Sequence, residues 1–470
     1  MILTKPVPFI KQYIEDLNNT LGQYQPGAGL TLTQKAWIVF CLSGILMVNA
    51  VCWAKFERVS LGTYKIAALS WMFRQSKILW DTLLIASVRL MVKKYGITSG
   101  VLVLDESDRA RSKNTKRIHK VHKQHHKASG GYVNGQTVVL LLLVTDSITI
   151  PIGFKFYMPD PVISEWQKEE EKLKKKKIAK HDRPSQPPFN PEFPKKIQLA
   201  LLLLEEFRKY HPDIIIKCVL ADALYGSEEF MSGASNIFGG VQVISQLRSN
   251  QNIHYRGTKK TIQDYFNKTN KGTDCVIRVR GGEAVHATVS SARLKVDAHS
   301  NKKCFVIALK YEGEEEYRYL VATDLSWRTI DIIQAYSLRW LVEVFFEDWK
   351  LYEGWGQEAK QFDEEGSSRS LILSLLIDHC LLLHPQQKAC IENKQPVYTV
   401  GSLQRMAQMD VLMECIKSLL QERDPGEKLK EMGRMIKDVF RLMPSRKHMS
   451  GRLLGRLKPT PSLSHKYCVC

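Results

Sequence analysis

"YSLRWLVEVFFEDWK", residues 336–350, is mostly apolar and aromatic, yet Tyr336, Arg339, Glu343 and Lys350 stand in it at intervals of three, four and seven. On an α-helix each residue advances by about 100°, so these four side chains fall within an arc of roughly 60°. Leu338, Leu341, Val342, Phe345 and Trp349 fall on the far side. One face of such a helix enters a core, and the other presents a carboxylate among two cations and a phenol. Intrahelical ion pairs alone would be worth only ~0.2–0.5 kcal/mol each. What the face is for depends on what the rest of the chain places beside it.

Two apolar strands supply the first candidates. "VLVLDES" begins at Val101 and its apolar run ends in Asp105; "DIIIKCVLADALYG" ends a second run at Asp222. Burial of a strand explains Val and Leu but not a carboxylate at the tip. The carboxyl edge of an α/β sheet is where ligands bind. If the two strands are neighbours, Asp105 and Asp222 converge, and a hard divalent cation would relieve their repulsion. Glu343, on a helix packed against the same sheet, would complete the site. An Asp at a strand end is by itself more often a turn former; the ordered helix is what strengthens the pair.

The order of elements frames this set. Residues 1–97 read as helical, with Thr31 or Thr33 as a cap and with recurring Lys65, Arg74, Lys77 and Arg89; they are expected to form a DNA-binding domain. Residues 98–240 read as strand, hairpin, helix and strand, a mixed α/β order. "SEWQKEEEKLKKKKIAKHDRPSQPPFNPEFP" interrupts them as an exposed insertion. From 241 to 328 the pattern alternates with a period near two, starting at "VQVISQL". Residues 329–386 return to helix and carry Glu343, and 387–470 are helical and then basic.

The chain has 470 residues with 68 Lys and Arg against 48 Asp and Glu, a formal charge of +20. That excess calls for a polyanion or a membrane surface. "AWIVFCLSGILMVNAVCWA", residues 36–54, is uncharged and nearly long enough to span a bilayer. Its Ser43, Gly44 and Asn49, and the lack of a second span, favour a buried helix pair broken near Gly44, and no membrane partner is expected. Ten cysteines without a CxxC pair suggest reduced thiols in a cytosolic protein. In "KRIHKVHKQHHK", residues 116–127, His119, His122, His125 and His126 could hold zinc on a helix, but no Cys or acid stands at a fitting distance; a basic loop on DNA is preferred.

With these residues in view the chain resembles the bacterial DDE transposases of insertion-sequence family four, marked by a Y-x2-R-x3-E-x6-K signature. "YSLRWLVEVFFEDWK" matches all four positions, "VLVLDES" resembles the first-aspartate strand, and Asp222 and Tyr225 stand at the D-[AG]-x-Y spacing. The resemblance covers roughly residues 98–355. It implies a ribonuclease-H-like mixed sheet with a β-rich insertion, flanked by helical N- and C-terminal regions. It further implies Asp105, Asp222 and Glu343 as ligands of two Mg²⁺ ions, with Mn²⁺ able to substitute. Arg339 and Lys350 would hold transposon-end phosphates, with Tyr336 hydrogen-bonded to a phosphate nearby. Trp327 is the candidate for stacking on a flipped base, and Arg248 for a further DNA contact. Glu347 faces the same arc as Glu343, and only the signature separates them.

The expected function is metal-dependent cleavage and strand transfer at the ends of an insertion sequence, by cut and paste. The partners are terminal inverted repeats and target DNA, with a homodimer in the synaptic complex, and the place is the bacterial cytoplasm at the nucleoid. The alternatives are another ribonuclease-H-like nuclease, such as a junction resolvase, or a captured, catalytically idle DNA-binding protein.

Overall fold

The computed structural model describes residues 5–126, 130–279, 282–300, 302–358 and 361–440. Five helices open it: α1 (Pro8–Tyr24), α2 (Leu32–Val48), α3 (Trp53–Val59), α4 (Ile66–Gln75) and α5 (Trp80–Tyr95). Then come β1 (Ser99–Ala110), β2 (His122–His126), β3 (Gly131–Val144), β4 (Thr149–Tyr157), α6 (Pro161–Lys175), α7 (Lys196–Tyr210), β5 (Ile215–Ala221), α8 (Glu228–Ile237) and β6 (Gln242–Leu247). A β-rich stretch follows with β7 (Asn252–Tyr255), β8 (Thr258–Thr261), α9 (Ile262–Lys268), β9 (Thr273–Val279), β10 (Glu283–Val296), β11 (Lys303–Tyr311) and β12 (Arg318–Ala322). The chain returns to helix in α10 (Thr329–Ser337), α11 (Trp340–Tyr352), α12 (Glu364–Leu382), α13 (Pro385–Glu392), α14 (Val400–Leu420) and α15 (Pro425–Val439). The basic end of the sequence, 441–470, with Cys468 and Cys470, lies outside the described residues.

The central strands run β4-β3-β1-β5-β6. β3 is antiparallel to both β4 and β1, and β5 and β6 are parallel to β1 and to one another in turn. This is the strand order of a ribonuclease-H-like sheet, as expected. "VQVISQL" is β6 and pairs parallel to β5, so it belongs to this central sheet and does not begin the β-rich stretch. That stretch instead hangs on β6: β12 adds antiparallel to it, followed by β11, β10, β7 and β8. The parallel pairing demanded a crossover, and α8 supplies it. Strands β1 and β3 are buried residue after residue along their apolar runs, as strands covered on both faces must be.

Helices from both ends of the chain cover the sheet. α5, α7 and α12 pack on β4, and α1 and α2 pack on α5 and α12. Thr31 caps α2 with a reciprocal bond to Gln34. α2 runs unbroken through Gly44, whose missing Cβ admits the Phe56 ring: a Cβ there would sit 2.8 Å from it. The expected break near Gly44 falls instead after Val48, where Asn49 takes a left-handed conformation with φ 47° before α3. Among the described residues no single helix is long and apolar enough to cross a membrane. The expected insertion, residues 164–194, falls on the exposed helix α6 and its following loop, with no buried residue in the helix.

A buried polar relay ties the mantle together. His379 of α12 contacts Pro151 O through Nε2 at 2.9 Å, and its Nδ1 faces Ser87 Oγ at 2.6 Å, which faces Tyr13 OH at 2.7 Å. Since a carbonyl only accepts, Nε2 carries the proton, Ser87 donates to Nδ1 and Tyr13 donates to Ser87. Burial holds the imidazole neutral, its pKa lowered to about 4. Arg369 of α12 donates to Phe73 O and Arg74 O, satisfying carbonyls at the end of α4.

Behind α11 lies an acidic pair. Glu353 is 0% exposed, and neither of its carboxylate oxygens meets an N–H or hydroxyl donor. It faces Asp378, itself buried, and burial raises both carboxyls, with Asp348 adding repulsion to each. A carboxyl raised on folding binds more protons folded than unfolded between the ordinary carboxylate range, ~4, and its folded value. Its stabilising effect is therefore full at acid pH and is lost as pH rises. Thermal melts from pH 5.5 to 8.5 should show a falling midpoint for the wild type and a flatter profile for Asp378→Asn. An unchanged slope in the variant would free this pair from responsibility.

Candidate active site

The pairing of β1 with β5 ends at Leu104 and Ala221. β1 itself does not end there: it continues against β3 through Asp105↔Leu140 to Ala110↔Gly135. Asp105 thus lies in mid-strand, not at a strand end, at the point where β1 loses its neighbour on one side. On that side the chain turns away at Asp222, whose Oδ1 accepts the Leu224 N–H at 2.8 Å and caps a single 3₁₀ turn, Ala223–Tyr225. Ser245 of β6 donates to Asp222 O at 2.5 Å and holds that turn to the sheet. Gly226 follows because a Cβ there would meet Gln246 O at 2.3 Å.

Neighbouring residues of a strand leave opposite faces. Because β1 has an open edge here, both Asp105 and Glu106 reach toward Asp222. One carboxylate oxygen from each of the three lies within 4.8 Å of the others. Asp105 Oδ1 accepts the Glu106 N–H at 2.8 Å, and Oδ2 takes Arg339 Nη1 at 2.7 Å. Glu106 is gripped by Lys196 Nζ at 2.7 Å and by the hydroxyl of buried Tyr225 at 3.1 Å. Glu106 was not among the expected site residues. Its signals were adjacency to Asp105 and the Tyr225 that stands three residues after Asp222.

Asp105 is 7% exposed. Burial pushes its carboxyl up to about 7; Arg339 opposes this and Asp222 adds to it. Glu106 is raised by burial, opposed by Lys196 and again pushed by Asp222. Three crowded carboxylates form a hard oxygen donor set, which suits Mg²⁺ or Mn²⁺. The place also accepts positive charge, since a guanidinium already rests on Asp105.

The quoted stretch is not one continuous helix. α10 ends at Ser337 and α11 starts at Trp340, joined by a tight turn in which Leu338, Arg339, Leu341 and Val342 each bond three residues back. Arg339 stands at the break as the residue before α11. Its Nη1 and Nη2 lie 3.4 Å from Glu343 Oε1, so one guanidinium spans Asp105 and Glu343. Glu343 and Glu347 are both exposed, and Glu343 lies outside the three-carboxylate cluster. Lys350 is half-buried, its ammonium 5.7 Å from the Phe346 ring. Burial lowers its pKa, Arg109 lowers it further, and Asp108 and Glu343 oppose.

Tyr336 is 8% exposed, and its hydroxyl donates to Ala221 O at 3.3 Å. It therefore pins α10 to the strand end that carries Asp222. Trp327 is half-buried against the core and Arg248 is exposed just after β6; neither shares a hydrogen bond or ion pair with the carboxylates among the described residues. The His-rich stretch contains strand β2, not a helix. His122 joins a network of Asp108, Gln124 and Thr137, while His119 packs on Phe156. The side chain of His126 lies outside the described residues.

The family model for DDE superfamily endonucleases matches residues 28–279, more than half of the chain, which therefore belongs to that family. No curated protein sequence matches it. Among solved structures, the piggyBac transposase synaptic complex with hairpin DNA is similar at 11% identity and a TM-score of 0.43, covering 94% of this chain and 86% of that one. The NurA nuclease from Sulfolobus solfataricus is similar at 8% identity and a TM-score of 0.24, covering 51% and 72%. Both likenesses are too remote to carry an argument.

The buried phenol makes a prediction about stability. Tyr336→Phe loses one long hydrogen bond and should cost about 1 kcal/mol. Tyr336→Ala opens a cavity beneath α10 and should cost ~3–5 kcal/mol. Urea denaturation separates the two; equal small losses would place the ring outside the core.

Proposed function

We propose that this DDE endonuclease is a transposase of the class with the Y-x2-R-x3-E-x6-K signature, cleaving and rejoining DNA at the ends of an insertion sequence by cut and paste. The observation that carries this reading is the cluster of Asp105, Glu106 and Asp222 at the open edge of the sheet, with Glu343 one guanidinium away. The chain as a whole is strongly basic, at +20. A basic surface around an acidic centre fits a phosphodiester polyanion.

Asp105 and Asp222 would hold the divalent ions, with Glu343 turning inward as a further ligand and Glu106 supporting them. Mg²⁺ is the expected metal, two ions to a site, and when bound it supplies activation of an attacking water or 3′-hydroxyl and charge relief for the leaving oxygen. Arg339 suits bidentate phosphate contact and Lys350 acts as a point charge. Tyr336 contributes by position, because its hydroxyl is turned to the backbone of β5. Arg248 and Trp327 remain candidates for contacts along the bound end. Joining two ends calls for a homodimer in the synaptic complex, with inverted repeats and target DNA as partners.

Asp105→Ala, Asp222→Ala and Glu343→Ala should each reduce cleavage of an end-bearing duplex in Mg²⁺ to background while gel-shift binding survives. Glu347→Ala serves as the control and should keep its activity. A variant that cleaves at the wild-type rate removes that residue from the site.

Binding itself should weaken steeply with salt, each neutralised phosphate adding about 0.9 to the slope of log K against log salt. Fluorescence anisotropy across a salt series measures this, and a flat response would point to a partner other than DNA.

A further inference from the structure

Asp105 has no idle oxygen. Oδ1 is held by the Glu106 N–H at 2.8 Å and Oδ2 by Arg339 at 2.7 Å. The Arg339 side chain is largely buried and stands between two carboxylates on different elements, Asp105 in β1 and Glu343 in α11. It stands in the tightened turn between α10 and α11, where the backbone stays in the right-handed helical region at Leu338 and Arg339. Its guanidinium therefore offsets the charge of two carboxylates at once. An ion approaching Asp105 would meet a full positive charge already in hydrogen-bond contact with its ligand.

We propose that Arg339 is a resident counter-ion that competes with the divalent ion for Asp105, and that its displacement frees the guanidinium to grip a DNA phosphate. This rests on the metal-dependent reading above and adds an order of events to it. Without the ion, Arg339 neutralises Asp105 and keeps Glu343 tethered. Once the guanidinium swings from Asp105 to a DNA phosphate, its 3.4 Å contacts with Glu343 are drawn away with it. Carboxylate and cation are then released together, the first toward the metal and the second toward the substrate. The site would pass from closed on itself to open for DNA without any movement of the sheet.

The test is Mn²⁺ binding to the full chain without DNA, read by the loss of the free-ion electron paramagnetic resonance signal. Arg339→Gln should bind Mn²⁺ at least about tenfold more tightly than wild type, because a unit charge in contact with a ligand is removed. Arg339→Lys, which keeps the charge, should stay near wild type. Lys350→Gln removes a nearby cation that does not touch Asp105 and should change the affinity by less than about threefold. Equal affinities for wild type and Arg339→Gln, or an equal gain in Lys350→Gln, overturn the competition. If wild type and every Arg339 variant bind no Mn²⁺, the metal-site reading itself falls, a distinct result.

A second measurement follows the release. With a short duplex oligonucleotide, Arg339→Gln should weaken binding by less than about twofold in EDTA and several-fold in Mg²⁺, because the guanidinium meets phosphate only after leaving Asp105. Equal weakening in both conditions overturns the release. Circular dichroism melts confirm that the variants fold.

Discussion

The parallel pairing of β1 with β5 stops at Leu104 and Ala221, and the site exists because it stops there. Had the pairing run on, the strand beside Asp105 would carry ladder hydrogen bonds and side chains of its own. Instead β1 keeps its other neighbour, β3, and stays rigid through Ala110 while one edge opens. Asp222 caps the turn by which the partner strand departs. A carboxylate in mid-strand has little freedom, and a carboxylate at a helical cap has its backbone fixed by the cap. The two are therefore placed by the sheet and by a turn, not by one another's attraction.

Everything else serves that opening. Tyr336 anchors α10 to Ala221, and Arg339 anchors the start of α11 to Asp105, so the helix pair is nailed on each side of the gap. Just past β1, Arg111 donates to Gly356 O at 2.6 Å and pairs with Glu358 at 3.2 Å, which fixes the loop after α11. Gly356, at φ 77°, takes a backbone form that a side chain would strain, and a Cβ there would collide with Arg109. Asn49, at the bend after α2, accepts the Gly354 N–H at 2.9 Å, so the N-terminal helices bear on the same loop. The N-terminal helices and the central sheet share one core, and Asn49 ties the bend after α2 to the loop after α11.

Much of this was legible in the sequence. Val101–Leu104 and the run before Asp222 read as buried strands because their residues are almost all apolar, and residues 329–386 read as helix. The hairpin expected within residues 98–240 is the antiparallel pair β3 and β4. The helix break at Leu338 and Arg339 was not legible, since no Gly or Pro stands there and every residue keeps a helical hand; the turn tightens between two tertiary anchors that a periodicity count does not see. Gly44 misled for the opposite reason. A glycine that looked like a breaker serves close approach of Phe56, and an asparagine makes the bend. Glu106 was hidden because strand alternation argues that neighbours diverge, and only the open edge lets both reach Asp222.

The basic excess and the acidic centre act over different distances. At physiological salt the field of exposed charges fades over ~8 Å, so a charge of +20 spread over the surface gathers a polyanion without neutralising carboxylates in a cleft. Those need counter-charge in contact, and two of the three have one: Arg339, shared with Glu343, on Asp105 and Lys196 on Glu106. Only Asp222 has no cation in contact among the described residues. The charge deficit is therefore local and sits at the turn after β5, the one member of the cluster held by backbone alone. A divalent ion meets least resistance there, and Asp222 is the natural point of entry to a site whose other carboxylates are already occupied by the protein's own cations.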